Sequence, residues 1–274
     1  MKSIQDCVTL NNGVKMPWLG FGTFKVAEGS EVVDSVREAL KVGYRHIDTA
    51  AIYGNEEGVG KAIRESGIPR KEIFLVSKLW NSEQGYDSTL RAFEASLERL
   101  GTDYLDLYLI HWPKPLNRET WRAMVKLYND KRIRAIGVSN FKVHHLEDLR
   151  QSSDIVPAVN QVEFHPQFPQ TELLEYCTKN NIRLEAWAPL MQGKLNELSL
   201  IAELAAKYGK SPAQFVLRWD LQMGVVTIPK SIHPERIKAN SEIFDFEISP
   251  DDMESMKQLD TGVRIGPDPD HITF

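Results

Sequence analysis

The sequence predicts a (β/α)₈ barrel, an α/β fold in which eight parallel strands alternate with helices. Short apolar runs recur along the chain, each is followed by an amphipathic segment, and each ends on a polar or aromatic residue. The chain has 274 residues, close to the roughly 250 that such a barrel requires. No linker-like or low-complexity segment divides it. We therefore expect one domain over residues 1–274, with an open doubly wound sheet as the competing arrangement.

The predicted strands are short and rich in aliphatic residues, as is typical of parallel strands buried on both faces. Six are clear, namely Ile73–Val76, Leu105–Ile110, Ile133–Val138, Ala158–Val162, Ile182–Ala186 and Val225–Ile228, and two are weaker, Leu19–Gly22 and Tyr44–Ile47.

The predicted helices carry apolar residues every three to four positions. They are Ser30–Val42, Ser88–Leu100, Glu119–Tyr128, Leu198–Tyr208 and Pro250–Leu259. Gly43 and Gly101 follow the first two as C-terminal stops.

The two ends of the chain differ from this pattern. Val8–Leu10 and Val14–Met16 flank the turn sequence Asn11-Asn12-Gly13, which predicts a β-hairpin that could plug one end of the barrel. Residues Gly262 to Phe274 include two prolines and predict an irregular C-terminal tail over the surface.

Charge and cysteine content exclude several classes of protein. The net charge is −5, with 33 basic and 38 acidic residues, which argues against nucleic-acid or anionic-membrane partners. Cys7 and Cys177 form no CxxC pattern, and no apolar run reaches signal-peptide or membrane-span length, so we expect a cytoplasmic location. His144 and His145 are adjacent and have no third ligand spaced nearby, so no metal is expected.

Polar side chains gather where the predicted strands end. In chain order they are Gly22-Thr23, Asp48, Lys78, His111, Ser139-Asn140, Gln161, Trp187 and Lys230. In a parallel barrel these ends converge on one face, which is the face that carries active sites. The set therefore predicts a functional site, although any one of these residues alone could equally end a strand or cap a turn.

Three of these side chains, together with Tyr53, could form a proton-delivery site. Lys78 and Asp48 would form a partly buried ion pair, and Tyr53 lies five residues past Asp48. An ammonium group beside a tyrosine stabilises its phenolate and makes proton donation near neutral pH easier. His111 could hydrogen-bond a substrate oxygen and orient it.

At these residues the chain closely resembles the aldo-keto reductase family, and most of all its bacterial 2,5-diketo-gluconate reductases and glyoxal or methylglyoxal reductases. The resemblance runs through ordered blocks along nearly the whole chain: Gly20-Phe-Gly-Thr23, Gly43-Tyr-Arg-His-Ile-Asp48-Thr-Ala-Ala-Ile-Tyr53-Gly-Asn-Glu56, Lys78-Leu-Trp80, Asp103-Tyr-Leu-Asp-Leu-Tyr-Leu-Ile-His111-Trp-Pro113, Gly137-Val-Ser-Asn140, Asn160-Gln161-Val-Glu163 and Ile228-Pro-Lys-Ser231.

The resemblance implies a barrel that binds NADPH without a Rossmann domain, and the sequence indeed lacks GxGxxG and GxxxxGK[ST] motifs. The catalytic tetrad it implies is Asp48, Tyr53, Lys78 and His111, with Tyr53 as proton donor. The cofactor positions it implies are Gly22, Thr23, Asp48, Ser139, Asn140, Gln161, Trp187, Leu190, Lys230, Ser231, Arg236 and Asn240. Ser139, Asn140 and Gln161 would bind the carboxamide, Trp187 would stack on the nicotinamide, and the last four would hold the 2′-phosphate and adenine. Ala239 stands where many relatives carry a glutamate that contacts adenine.

Aromatic residues are expected to line the substrate side of the site: Phe24, Trp80 and Trp112, with His111 at its base. Flat walls with few polar groups suit small aldehydes, ketones and α-dicarbonyls. The expected protein is therefore a monomeric NADPH-dependent carbonyl reductase. The alternatives are net oxidation of a sugar alcohol or hydroxy acid, and a nicotinamide-binding regulatory protein on the same scaffold.

Overall fold

The chain contains ten strands and ten helices, and the structure, a computed structural model, describes residues 1–274. The strands are β1 Cys7–Thr9, β2 Lys15–Pro17, β3 Phe21–Gly22, β4 His46–Asp48, β5 Phe74–Leu79, β6 Leu105–Ile110, β7 Ile133–Ser139, β8 Val159–Glu163, β9 Arg183–Trp187 and β10 Val226–Thr227. The helices are α1 Ser30–Val42, α2 Glu56–Glu65, α3 Tyr86–Leu100, α4 Asn117–Asn129, α5 Val143–Arg150, α6 Thr171–Lys179, α7 Ser199–Lys207, α8 Pro212–Gln222, α9 Pro234–Ser241 and α10 Pro250–Met256.

Strands β3 to β10 form one parallel sheet in which each strand pairs with the next along the chain. The sheet closes on itself, because Leu19 bridges to Thr227 and the main-chain N–H of Gly20 donates to the carbonyl of Thr227 at 2.9 Å. The predicted barrel is therefore confirmed and the open doubly wound sheet is excluded, since that fold reverses its strand order part-way. All eight predicted strands are present, with boundaries that differ by a few residues.

The five predicted helices are confirmed, the last as α10 followed by a short 3₁₀ turn over Lys257–Leu259. The sequence pattern did not indicate α2, α6 or α8. Helix α2 contains Gly58 and Gly60, which lower its helix propensity. Gly60 is required by packing, because a Cβ at this position would lie 2.1 Å from the carbonyl oxygen of Leu100.

The predicted N-terminal hairpin is also confirmed, and it closes the amino-terminal end of the barrel. β1 and β2 pair in antiparallel register, and the N–H of Leu10 donates to the carbonyl of Val14 across the turn. The inward side chains Val8, Leu10 and Met16 join a buried cluster with Phe74, Val76, Leu107, Leu109, Ala135, Ala158, Val159 and Val226. The hairpin thus fills the lower barrel with apolar atoms and leaves the opposite face for polar chemistry.

Both cysteines, exposed Cys7 and buried Cys177, are free thiols. None of the helices combines the length and the apolar character that crossing a lipid bilayer requires.

The hairpin plug can be tested at Met16, which is fully buried. Met16→Ala should lower the free energy of unfolding by about 2–5 kcal/mol, because it removes buried methylene groups and leaves a cavity. The neighbouring Lys15 is exposed, so Lys15→Ala should change stability by no more than about 0.5 kcal/mol. Urea unfolding of both variants measures the difference. Equal urea midpoints for the two variants would show that the hairpin does not contribute to stability through Met16.

Candidate active site

The side chain of Lys78, on β5, lies fully buried at the carboxyl end of the barrel. Its Nζ donates to Asp48 Oδ1 at 2.6 Å, to the carbonyl of Thr49 at 2.9 Å and to Tyr53 Oη at 3.3 Å. An ammonium group has three N–H donors, so all three are used. This arrangement keeps a buried charge paired and hydrogen-bonded, as burial requires.

Asp48, the last residue of β4, is held from two sides. Its Oδ1 accepts from Lys78, and its Oδ2 accepts from Gln161 Nε2 at 2.8 Å. Its main-chain carbonyl accepts from the hydroxyl of Thr23 at 3.0 Å. The backbone of Asp48 is therefore held to the loop that follows β3, and its carboxylate is held between Lys78 and Gln161.

Tyr53 lies on a single 3₁₀ turn, Ala51–Tyr53, and its ring is half-buried. Burial raises the pKa of Tyr53, and the nearby Lys78 ammonium opposes that rise without cancelling it. The phenol is therefore protonated near neutral pH. The lowering by Lys78 expected from the sequence is present but is outweighed by burial.

His111 follows β6 and its imidazole faces the same point from the next strand. Its ring centroid is 5.7 Å from that of Tyr53 and 5.2 Å from that of Trp80, in edge-to-face contact with both. Burial, with a further effect of the Lys78 charge, lowers the pKa of His111 well below its usual value. The imidazole is therefore neutral and can act as a hydrogen-bond donor and acceptor rather than as a cation.

A second polar cluster joins the ends of β7, β8 and β9. Asn140 has a left-handed φ of 65°, and its Nδ2 donates to the carbonyl of His111 at 2.9 Å. Its Oδ1 accepts from Trp187 Nε1 at 2.8 Å. Ser139 Oγ donates to the carbonyl of Gln161 at 2.8 Å. The structure thus brings Ser139, Asn140, Gln161 and Trp187 together beside the tetrad.

The expected phosphate-binding residues lie further along the rim. Lys230 and Arg236 are exposed, and neither forms an ion pair with a carboxylate. Ser231 is buried and accepts from the N–H of His233 just before α9. Asn240, near the end of that helix, is also buried. Two free cations beside a helix N-terminus form a surface suited to a phosphate.

Aromatic rings form the mouth above the tetrad. The ring centroid of Phe24 is 5.0 Å from that of Tyr53. Trp80 stacks on Phe274 at 5.7 Å and 7°, and Trp112 meets the edge of the same ring at 5.4 Å. The expected wall residues Phe24, Trp80 and Trp112 are thus brought together, and Phe274 joins them.

The C-terminal tail is irregular and lies over the surface, as predicted, and the surface that it covers is the mouth of the barrel. A Cβ on Gly266 would collide with the indole of Trp187, so a larger residue there would require the indole to move. The N–H of Gly266 donates to the carboxylate of Glu163. The sequence pattern could not indicate this path, because nothing in the tail itself shows what it packs against.

The tail is tethered by polar side chains at the N-terminal end of α5. Lys142 Nζ pairs with Asp268 and Asp270, and His144 and His145 both approach Asp270 Oδ1. Asp270 is therefore a third potential ligand that sequence spacing did not reveal. The N–H of Lys142 donates to His145 Nδ1, which leaves the proton of a neutral His145 on Nε2, facing Asp270. The cluster is thus built as a hydrogen-bonded tether.

Comparison with known proteins agrees with this geometry. The model of the "Aldo/keto reductase family" matches residues 18–261. The chain belongs to the aldo/keto reductase family. The glyoxal reductase of Bacillus subtilis (strain 168) is 59% identical over 273 residues, covering 99% of each chain. The methylglyoxal reductase DkgA of Salmonella typhimurium (strain LT2) is 44% identical over 270 residues, covering 97% of each.

A solved structure of a Gox0644 mutant in complex with NADPH superposes on this aldo/keto reductase with a TM-score of 0.94. The two share 45% sequence identity, and the match covers 98% of this chain and 99% of that one. The resemblance inferred from the sequence motifs is thus confirmed, and the protein is an oxidoreductase of this family.

Several residues around the site were missed by sequence reasoning. Asn55 is fully buried, and its Nδ2 donates to the carbonyls of Thr23 and Val26 while its Oδ1 accepts from Thr49. It ties the loop that carries Tyr53 to the loop after β3. Its place two residues after Tyr53 was the available signal. His46 and Glu185 lie inside the barrel, before the ends of their strands. The sequence therefore carried no signal that they belong to the site.

The tail tether predicts a measurable change in local dynamics. Lys142→Ala removes the pairs with Asp268 and Asp270, so amide hydrogen exchange at Ile265 and Gly266 should become about three- to tenfold faster. Lys71→Ala, an exposed lysine without an ion pair, serves as the control.

The same tether should weaken in acid. The hydrogen bond that Lys142 donates to Asp268 lowers the pKa of this carboxyl group to about 2. The stabilisation is therefore complete above the usual aspartate pKa and is lost as the pH falls through about 2. Exchange of the tail in the wild type should approach that of Lys142→Ala there. A tail that exchanges equally in both proteins at neutral pH would count against the tether.

Proposed function

We propose that this aldo/keto reductase reduces small aldehydes, ketones and α-dicarbonyls, such as glyoxal or methylglyoxal, to alcohols with NADPH. The observation that carries the proposal is the buried line of contacts from Asp48 through Lys78 to the phenol of Tyr53, with the neutral His111 beside it. The names of the similar glyoxal and methylglyoxal reductases support the substrate class.

The four side chains have separable roles in this proposal. The bound cofactor supplies the hydride that reduces the carbonyl carbon. Tyr53 Oη gives its proton to the carbonyl oxygen as negative charge develops there, and Lys78 stabilises the phenolate that remains. Asp48 keeps the ammonium charged and oriented. His111 hydrogen-bonds the substrate oxygen and holds it near Tyr53.

The residues present fit NADPH. Lys230 and Arg236, exposed and free of carboxylate partners, would bind the 2′-phosphate, with Ser231 at the start of α9 and Asn240 on its buried side. At the other end, Ser139, Asn140 and Gln161 would bind the carboxamide, and the flat indole of Trp187 would face the ring. Gly22, Thr23, Asp48 and Leu190 would complete the lining.

The aromatic mouth favours small, weakly charged substrates. Phe24, Trp80 and Trp112 offer apolar faces, and His111 is the polar group below them. Such a site combines many apolar contacts with a few directed hydrogen bonds. Because the chemistry is reversible, the cellular ratio of cofactors decides whether net oxidation occurs. The assembled tetrad favours an enzyme over a purely regulatory nicotinamide-binding protein.

We further propose that residues 1–274 form one domain and that the protein acts as a cytoplasmic monomer. A buried core of 53 residues that spans Leu19 to Met256 supports one domain. Two free cysteines without a disulfide support a reducing compartment.

The proposed proton donor can be tested with Tyr53→Phe. The variant keeps the ring but loses the hydroxyl, so kcat for methylglyoxal should fall by about 10²- to 10⁴-fold while the Kd for NADPH stays within about twofold. Loss of NADPH absorbance measures turnover, and fluorescence quenching measures binding. A variant that turns over at the wild-type rate would remove Tyr53 from the mechanism.

The preference for NADPH can be tested with Arg236→Ala. Loss of a charge-assisted contact to the 2′-phosphate should raise the Kd for NADPH by about tenfold or more and leave the Kd for NADH unchanged. Lys238→Ala on the same helix is the matched control, because Lys238 is exposed and faces Glu242 at 3.8 Å. Equal effects on NADPH and NADH would contradict a phosphate site at Arg236.

A further inference from the structure

A carboxyl group that the proposed mechanism does not use, that of Glu185, lies inside the barrel beneath the tetrad. Glu185 is the middle residue of β9, and its side chain has no exposed surface. Burial of a carboxyl group carries a large desolvation cost unless its polar atoms find partners. Its contacts therefore indicate what it does.

Glu185 and Asp48 share one amide group. Gln161 Nε2 donates to Asp48 Oδ2 at 2.8 Å and to Glu185 Oε2 at 2.9 Å. An amide nitrogen has two N–H groups, so both are used. If the side-chain amide of Gln161 were turned round, its oxygen would face the carboxyl oxygens of Asp48 and Glu185. The two acids therefore fix the orientation of Gln161 and leave its Oε1 available to another donor.

The surroundings of Glu185 favour its neutral form. The ionisable groups around it are His46 and Asp48 on β4, Lys78 on β5 and Tyr53 on the loop after β4. Strand β8 offers the uncharged Gln161, and β10 offers no ionisable group at Val226 and Thr227. Lys78 is already paired with Asp48. Burial, followed by repulsion from Asp48, raises the pKa of Glu185 to about 8.

The geometry at the other oxygen agrees with a protonated carboxyl group. Glu185 Oε1 lies 3.3 Å from Nε2 of His46, and neither atom has a well-aligned hydrogen-bond partner. Burial lowers the pKa of His46 to about 3, so its ring is neutral. A proton on Oε1 gives both atoms a partner when the single ring proton of neutral His46 lies on Nδ1, because Oε1 then donates and Nε2 accepts.

Resting on the proposed NADPH-dependent function, we propose that Glu185 is a positioning residue whose neutral carboxyl group aligns Gln161 for the nicotinamide carboxamide. Through the same amide it keeps Asp48 directed at Lys78. The neutral form also avoids a second negative charge beside Asp48.

Ionisation of Glu185 has a consequence for cofactor preference. A second negative charge in the barrel favours the positively charged oxidised nicotinamide over the neutral reduced form. The ratio of the Kd for NADPH to the Kd for NADP⁺ should therefore rise with pH. One added charge within the protein should change that ratio by about tenfold.

The experiment measures binding of NADPH and NADP⁺ by quenching of tryptophan fluorescence at about pH 6.5 and about pH 9.5, on either side of the pKa of Glu185. The proteins are wild type, Glu185→Gln, Glu185→Leu and the control Asp220→Asn. Asp220 is likewise buried with a raised pKa, but it accepts from the hydroxyl of Thr227 rather than from Gln161.

Glu185→Gln resembles the protonated acid, so it should bind NADPH within about twofold of wild type at the lower pH and show a ratio that does not vary with pH. Glu185→Leu, which leaves one N–H of Gln161 unpaired, should bind NADPH about fivefold or more weakly. Asp220→Asn should follow the pH dependence of the wild type. If Glu185→Leu does not fold, the pH dependence of Glu185→Gln decides the matter.

Three results would overturn the inference: wild-type affinity in folded Glu185→Leu, a wild-type pH dependence in Glu185→Gln, or Glu185→Gln binding as weakly as Glu185→Leu at the lower pH. The proposed function fails separately, if wild type itself does not bind NADPH or turn over methylglyoxal. In that case the inference fails with it.

Discussion

The buried ammonium group of Lys78 is the constraint on which the rest of the site depends. A charge removed from water costs several kcal/mol unless it is paired and fully hydrogen-bonded. Lys78 meets this condition through one carboxylate, one main-chain carbonyl and one phenol. Two of these partners, Thr49 and Tyr53, lie on the loop after β4. The need to satisfy the ammonium therefore orders the loop that presents the proton donor.

The same constraint extends down the barrel. Asp48 neutralises Lys78, Gln161 holds Asp48, and Glu185 holds Gln161, with His46 at the lower end. Below this polar column the hairpin fills the barrel with apolar side chains. Each polar residue in the column is 2% exposed or less, so water cannot replace a lost partner. The orientation of the chemically active groups is thus set by contacts that begin well inside the protein.

The sequence predicted the barrel and the tetrad because both leave local signals. Parallel strands buried on both faces appear as short apolar runs, and a strand end followed by Asp48, Lys78 or His111 marks the face on which they converge. Other features depend on tertiary contacts alone. Helix α2 forms despite its two glycines because it packs tightly against the end of α3. Glu185 lies mid-strand, where inward and outward positions of a short run cannot be told apart.

The ion pairs that hold the tail over the mouth are weaker than the buried ion pair that holds the tetrad. The tail that carries Phe274 over Trp80 is tethered by Lys142 to Asp268 and Asp270, which are partly exposed. Exposed pairs contribute about 0–1 kcal/mol each, whereas breaking a buried pair such as Lys78 with Asp48 costs about 3–5 kcal/mol. The ion pairs of the tail therefore contribute little to holding it over the mouth. None of the hydrogen-bond partners of the tetrad belongs to the tail, so the geometry of the tetrad does not depend on these pairs.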